Sequence, residues 1–141
     1  MNFLERMQPL GLLVLRLALG AVMIAHGASK VFGGIHHHVE LVRSLHIPGW
    51  AAYLSAAAEF GGGILLVLGL LTRFAALCVC INMLVAIFGV HLKNGFTGQG
   101  NYQFPLALAA IAFSLIFTGA GPISIDWLRG SMGGTARGVV R

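Results

Sequence analysis

Residues 50–92 read WAAYLSAAAEFGGGILLVLGLLTRFAALCVCINMLVAIFGVHL, two apolar runs, Trp50–Leu71 and Phe74–Leu92, joined by Thr72-Arg73 alone. Each run is close to the ~20 residues that cross a bilayer's hydrocarbon core as a helix. A chain in lipid must satisfy its own backbone hydrogen bonds, which makes both runs helices. A two-residue connection leaves them no arrangement but antiparallel neighbours.

Working outward, two further apolar runs, Leu10–Phe32 and Phe104–Ala120, flank this hairpin. The expectation is an all-α, integral membrane four-helix bundle of up-down-up-down order, with a four-span domain over residues 1–126 and a flexible tail over 127–141. The Gly-rich SMGGTARG after Trp127 is the reason for reading that tail as disordered. Composition agrees: 57% of residues are hydrophobic and 9% charged, against about 45–50% and about 25% in soluble domains. The apolar surplus has to face lipid. The net charge of +5 comes from single Lys and Arg residues at the edges of apolar runs, which excludes a nucleic-acid footprint and gives a topology signal instead. Arg6, Arg73, Arg129, Arg137 and Arg141 fall on one side, against Lys30, Arg43 and Lys93 on the other. Both termini are therefore expected in the cytoplasm. The first run lacks a small-x-small cleavage site and reads as a retained anchor.

Between the first two spans, residues 33–49 carry Ile35, Val39, Val42 and Leu45 at helical spacing, the pattern of a short helix on the membrane surface. Pro48-Gly49 ends it, and Trp50 and Tyr53 form an aromatic belt for the next span. His36, His37, His38 and His46 read as solvated loop residues, and no metal site is expected of them. Cys78 and Cys80 lie about 200° apart around a helix and suit neither a disulfide nor dithiol chemistry.

Ionisable groups inside spans are costly, about 2.5–3.5 kcal/mol each on insertion scales, so those retained have a partner or a task. Arg16 lies about 6 Å to the cytoplasmic side of its helix centre and Glu59 near the centre of the second span. A bidentate Arg16–Glu59 pair locking the first two helices is one reading. Another places Glu59 in a polar pocket with His26 and Asn82, where a ligand's oxygen atoms are held or protonated. Ala57-Gly61 and Ala58-Gly62 are small-xxx-small pairs that let a helix approach closely. Three glycines together, Gly61 to Gly63, call for close packing or backbone access to compensate a weakened helix. His26-x3-Lys30 and His91-x-Lys93 form a faint echo at the outer ends of the first and third spans. A haem ligated by His26 and His91 is the weaker option, because interfacial histidines are commonplace.

These residues, in this order and spacing, resemble the DoxX family of small bacterial four-span membrane proteins from about Leu12 to Asp126. Arg16, the His26-Gly27-Ala28-Ser29-Lys30-Val31-Phe32-Gly33 exit, Glu59-Phe60-Gly61-Gly62-Gly63, Gly69-Leu70-Leu71-Thr72-Arg73 and Gly119-Ala120-Gly121-Pro122-Ile123-Ser124-Ile125-Asp126 carry the likeness. The resemblance implies a cytoplasmic (inner) membrane protein linked to oxidoreductase complexes that handle quinones or thiols. It also implies that Arg16, Lys30, Glu59 and Arg73 occupy family positions. Gln103 follows Tyr102 where many relatives carry Glu, which leaves an amide in place of an acidic proton donor.

With no nucleotide loop, dithiol or nucleophile triad in the sequence, quinone is the cofactor that these residues suit. The expected role is a quinone-interacting subunit of a membrane oxidoreductase. Glu59 and His26 would exchange protons, Arg16, Lys30, Asn82, His91 and Gln103 would contact ligand, and Gly61–Gly63, Arg73 and Asp126 would shape the frame. The alternatives are a non-catalytic anchor for a soluble redox partner and a small-solute transporter acting as a homo-oligomer. The orientation is open to a direct check. Cysteines introduced at positions 37 and 135 should react with an impermeant reagent on intact cells at 37 and be spared at 135; the reverse pattern would invert the topology.

Overall fold

The computed structural model describes residues 2–135, and among these every regular element is helical. A short α1 (Asn2–Arg6) precedes α2 (Gln8–Ser29), whose Pro9 sits in the first turn, where a missing N–H costs nothing. The helical path continues through a wider turn, Lys30–Gly34, bends at Gly33 and passes into α3 (Ile35–Ser44). Next come α4 (Ala51–Leu68), α5 (Thr72–Ala86), α6 (Gln103–Thr118) and α7 (Ile125–Thr135). The third run extends α5 through Ile87–His91 to Asn94.

Three of these helical stretches are long and apolar enough to cross a membrane, whereas α6 has 16 residues, a rise of about 24 Å against the ~30 Å of a hydrocarbon core. The core is narrow: Leu19 and Met23 of α2, Leu66 of α4, Val79 and Met83 of α5, and Leu108, Ala112 and Leu115 of α6 meet at the centre. Leu54, Ile81, Phe88, Phe113 and Phe117 point outward and stay exposed, as apolar faces do when lipid replaces water.

α2 packs on α4, α4 on α5 and α5 on α6. The tightest approach, α2 against α4, is backbone on backbone. A Cβ at Gly20 would stand 2.8 Å from the Gly63 carbonyl, one at Gly63 would stand 2.8 Å from the Gly20 carbonyl, and one at Gly27 would collide with the Phe60 backbone. Of the two expected small-residue pairs, Ala57-Gly61 admits no helix, whereas at the Gly62 of Ala58-Gly62 it is α5 that comes close. A Cβ at Gly61 would meet nothing within 4 Å, and one at Gly62 would touch Val79 of α5 at 3.2 Å. Of the three glycines it is Gly63 that admits α2, because it lies on the adjacent side of the helix.

One end of the bundle is knitted by polar groups. Gly69 ends α4 in the left-handed region (φ 66°), with its N–H on Leu66 O and the N–H of Leu70 on Leu65 O, a glycine-terminated helix end. The chain then turns straight into α5, and the carboxylate of Asp126 accepts the N–H groups of Leu71 at 2.8 Å and Thr72 at 2.9 Å. It caps a helix start more than 50 positions earlier in the chain. The N–H of Asp126 returns to Gly69 O at 2.9 Å. Residues 127–135, expected to be a disordered tail, continue this segment as α7; the rest of that tail, 136–141, lies outside the described residues.

Burial pushes the Asp126 carboxyl upward, but the Thr72 and Leu71 N–H groups outweigh it, and the net position is below the ordinary carboxylate range. A carboxyl depressed in the folded state stabilises above its unfolded pKa and stops doing so as pH falls through the folded one. Asp126→Asn should therefore cost about 1 kcal/mol at neutral pH, and its melting temperature should converge on wild type as the solution is acidified below the carboxylate range. A constant difference across that range would show that ionisation of the cap contributes nothing.

Candidate functional site

Ser55, Ala58, Glu59 and Gly62 share one face of α4, spaced by three and four residues. Opposite them, Ala75, Cys78, Asn82 and Ala86 share a face of α5. Small residues on both faces leave a cavity of about 740 Å³ between the two helices, within the range of small-molecule sites. α3 roofs one end of it with His38, Leu41, Val42 and Leu45. The flanks, Leu54, Phe74, Ile81 and Val85, are exposed apolar side chains, so the cavity is a groove open toward the lipid side of the bundle.

The polar groups of this groove converge on Glu59, which is 4% exposed. Lys30, leaving α2 where the helix widens, places Nζ 2.6 Å from Glu59 Oε1. Asn82 Nδ2 donates to the same oxygen at 2.8 Å. Glu59 Oε2 is buried and has no partner among the described residues. An unmatched buried carboxylate oxygen is expensive. One turn before Glu59 in α4, Ser55 Oγ lies 3.1 Å from His38 Nε2.

The expected Arg16–Glu59 pair does not form. Arg16 is 1% exposed, yet its guanidinium donates to the carbonyls of Ala120 at 2.5 Å and Ile123 at 2.8 Å, beside Gly69. Gly69 is ten residues beyond Glu59 along the chain, about 15 Å at helical rise. Arg16 serves the Gly69 end of α4, Glu59 lies at its middle, and the ammonium that reaches Glu59 comes from Lys30.

Of the other sequence-derived candidates, Asn82 joins Glu59 and His26 does not. The His26 ring is exposed, donates from Nδ1 to Val22 O at 2.9 Å and lies 5.7 Å from the Phe104 ring, away from the groove lining. His91 lines the groove and donates from Nδ1 to Gly100 O at 2.7 Å. Gln103 is exposed at the start of α6, outside the groove, with its backbone N–H on Asn101 Oδ1. Arg73 donates to Phe117 O at 3.3 Å, a cation near the carbonyl end of α6. Gly61 and Gly62 line the groove, and Gly63 packs on α2. Among the described residues no group of three His, Cys, Asp or Glu could hold a metal ion.

His38 and Ser55 are groove residues that a reading of residue types passes over. The signal for His38 lies in its spacing: residues 38, 41, 42 and 45 follow the i, i+3, i+4, i+7 pattern of one helix face. That places it with the roof and apart from the exposed His36 and His37.

The sequence pattern of the DoxX family matches residues 11–92, which include Lys30, Glu59 and Asn82. A Bacillus subtilis (strain 168) protein named "Putative oxidoreductase CatD" is 33% identical over 117 residues, 83% of this chain and 85% of that protein. The inner membrane protein YqjF of Escherichia coli (strain K12) is 30% identical over 89% of this chain and 96% of its own length. The inner membrane protein YphA of the same strain is 30% identical over 84% and 90%. No solved structure gives a significant match.

Breaking a buried ion pair at one partner costs about 3–5 kcal/mol, whereas removing both costs far less. Lys30→Met should thus lower the melting temperature in mild detergent sharply, and Lys30→Met combined with Glu59→Gln should recover most of the loss. Arg16→Leu with Glu59→Gln should instead give the sum of two separate losses. Non-additivity in the Arg16 pair and additivity in the Lys30 pair would reverse the assignment.

Proposed function

We propose that this chain, which belongs to the DoxX family, binds a quinone in the groove between α4 and α5 and serves as a quinone-interacting subunit of a membrane oxidoreductase. The observation that carries the reading is Glu59 in the wall of a largely apolar groove, with its Oε2 buried and unpartnered among the described residues. A quinone has matching halves: a ring whose two oxygens need polar partners, and a hydrocarbon tail that needs none. Lys30, Glu59, Asn82 and His38 stand at one part of the groove, and the exposed apolar flanks lead from it toward the lipid side of the bundle.

In this reading Glu59 and Lys30 hold the ring oxygens and provide the groups that exchange protons with them. Arg16 and Asp126 fix the frame at the far end. Electrons come from a redox partner, soluble or membrane-bound, because the groove side chains supply hydrogen bonds and charge and a quinone supplies the redox chemistry. The relative's oxidoreductase name is in keeping with this, and the inner membrane names of two others support a multi-pass chain in that membrane. The proposed topology is up-down-up-down with both termini cytoplasmic, which places Lys30, His38 and His91 toward the outer side.

Purification in mild detergent, solvent extraction and chromatography should recover quinone in a nearly one-to-one ratio with the chain. Glu59→Ala should lose about tenfold or more of it, in line with the removal of a charged hydrogen-bonding group. Quinone present only at its ratio to co-extracted phospholipid, unchanged by Glu59→Ala, would refute the reading.

A further inference from the structure

The groove's hydrogen-bonding groups are unequally matched, and this bears on which redox form of the ligand it holds. Glu59 Oε1 accepts from both Lys30 and Asn82, and Oε2 accepts from nothing. Lys30 gives one N–H to Glu59, and an ammonium carries three donors. Lys30 and Glu59 both line the groove, so the ion pair offers an incoming ligand a donor at Lys30 and, where the carboxylate turns to present it, an acceptor at Oε2. Glu59 is 4% exposed, so water is a poor competitor for that acceptor.

Building on the quinone reading above, we infer that the groove binds the reduced quinol in preference to the oxidised quinone, through an O–H donated to Glu59 Oε2. A quinol hydroxyl both donates and accepts, so it can pair with Oε2 and with the Lys30 ammonium. A quinone carbonyl accepts only. It can take the Lys30 N–H, but it leaves Oε2 buried against a second lone-pair-bearing oxygen. Sites built to accept a hydrogen bond from a ligand discriminate against the analogue that lacks the donor, because the site's own group is then left unpaired.

The remaining polar side chains of the groove do not remove this bias. Ser55 Oγ and His38 Nε2 are occupied with each other, and the His91 Nδ1–H is committed to the Gly100 carbonyl. Cys78, the groove's thiol, is a weak donor and weak acceptor.

A preference of this kind has a redox consequence. Tighter binding of the quinol raises the midpoint potential of the bound couple, by about 30 mV for each tenfold ratio of dissociation constants in a two-electron couple. The bound quinone becomes a better oxidant than the pool in the surrounding membrane, which favours electron uptake from a partner at the site, and the same free energy is given back when the quinol leaves.

The test is anaerobic equilibrium dialysis of the full chain in lipid nanodiscs with decylubiquinone and, separately, decylubiquinol. Wild type should bind the quinol about tenfold or more tightly than the quinone. In Glu59→Gln the amide N–H₂ can donate to a carbonyl, and the ratio should fall to near one or invert. Should that single variant not fold, Lys30→Met with Glu59→Gln removes both charges together and should show the same loss of preference. Equal affinities in wild type, or tighter binding of the quinone, would overturn the inference while leaving the quinone site in place. Failure of both forms to saturate the protein would overturn the site and the inference together.

Discussion

A carboxylate held in an apolar bundle by one ammonium and one amide, all on the same oxygen, is the interaction around which the rest of this structure is arranged. Lys30 reaches Glu59 at 2.6 Å from the point where α2 widens and bends. The chain beyond that point, α3, lies over the groove and brings His38 to Ser55, one turn from Glu59. Desolvation makes a lone carboxylate here intolerable, and the low-polarity surroundings that impose the cost also strengthen its pairing with Lys30. The ion pair ties the first two spans at the groove, and the roof folds back from the same point.

The two polar centres of the bundle are built to different standards, and the difference separates frame from site. At the Arg16–Asp126 end, four backbone groups are bonded: the carbonyls of Ala120 and Ile123 by Arg16, and the N–H groups of Leu71 and Thr72 by Asp126. Those bonds close the helix ends and the turn between α4 and α5 in one network, and they stiffen the hairpin. At the Lys30–Glu59 end one carboxylate oxygen carries two bonds and the other none. Arg16 Nε is likewise buried without a partner among the described residues, but it lies off the groove lining; Glu59 is the unmatched group that stands beside the groove, where a ligand can reach it.

Small residues do two jobs that look alike in the chain. Gly20, Gly27 and Gly63 let α2 and α4 approach until backbones touch, and a side chain at any of them would collide. Gly61, Ala57 and Ala58 face the groove, where the lack of side-chain volume is itself what leaves room for a ligand. Consecutive glycines thus separate, by the 100° each residue turns around a helix, into one that packs against α2, one that packs against α5 and one that faces the groove.

The apolar runs and the shortness of the connection between the second and third determined the long apolar helices and their hairpin, because run length, backbone satisfaction and connection length are local properties. The turn itself falls at Gly69–Leu71, and Thr72-Arg73 opens α5. Glu59, Lys30, Asn82 and Arg16 were legible as residues that must matter, since ionisable and amide groups inside such runs are costly wherever they fall. Their pairing was not legible. Arg16 and Lys30 compete for one carboxylate on equal terms in the chain, and what decides between them is the stagger of α2 against α4 fixed by the Gly20–Gly63 contact, together with the free carbonyls at Ala120 and Ile123. The same holds for His38, whose place over the groove depends on the bend at Gly33, and for residues 127–135, whose helix follows from Asp126 being bound to the start of α5. Residue types set the energetic demands; only the tertiary arrangement decided which partner met each of them, because hydrogen bonds and ion pairs act over a few ångströms and the chain alone does not say which groups come that close.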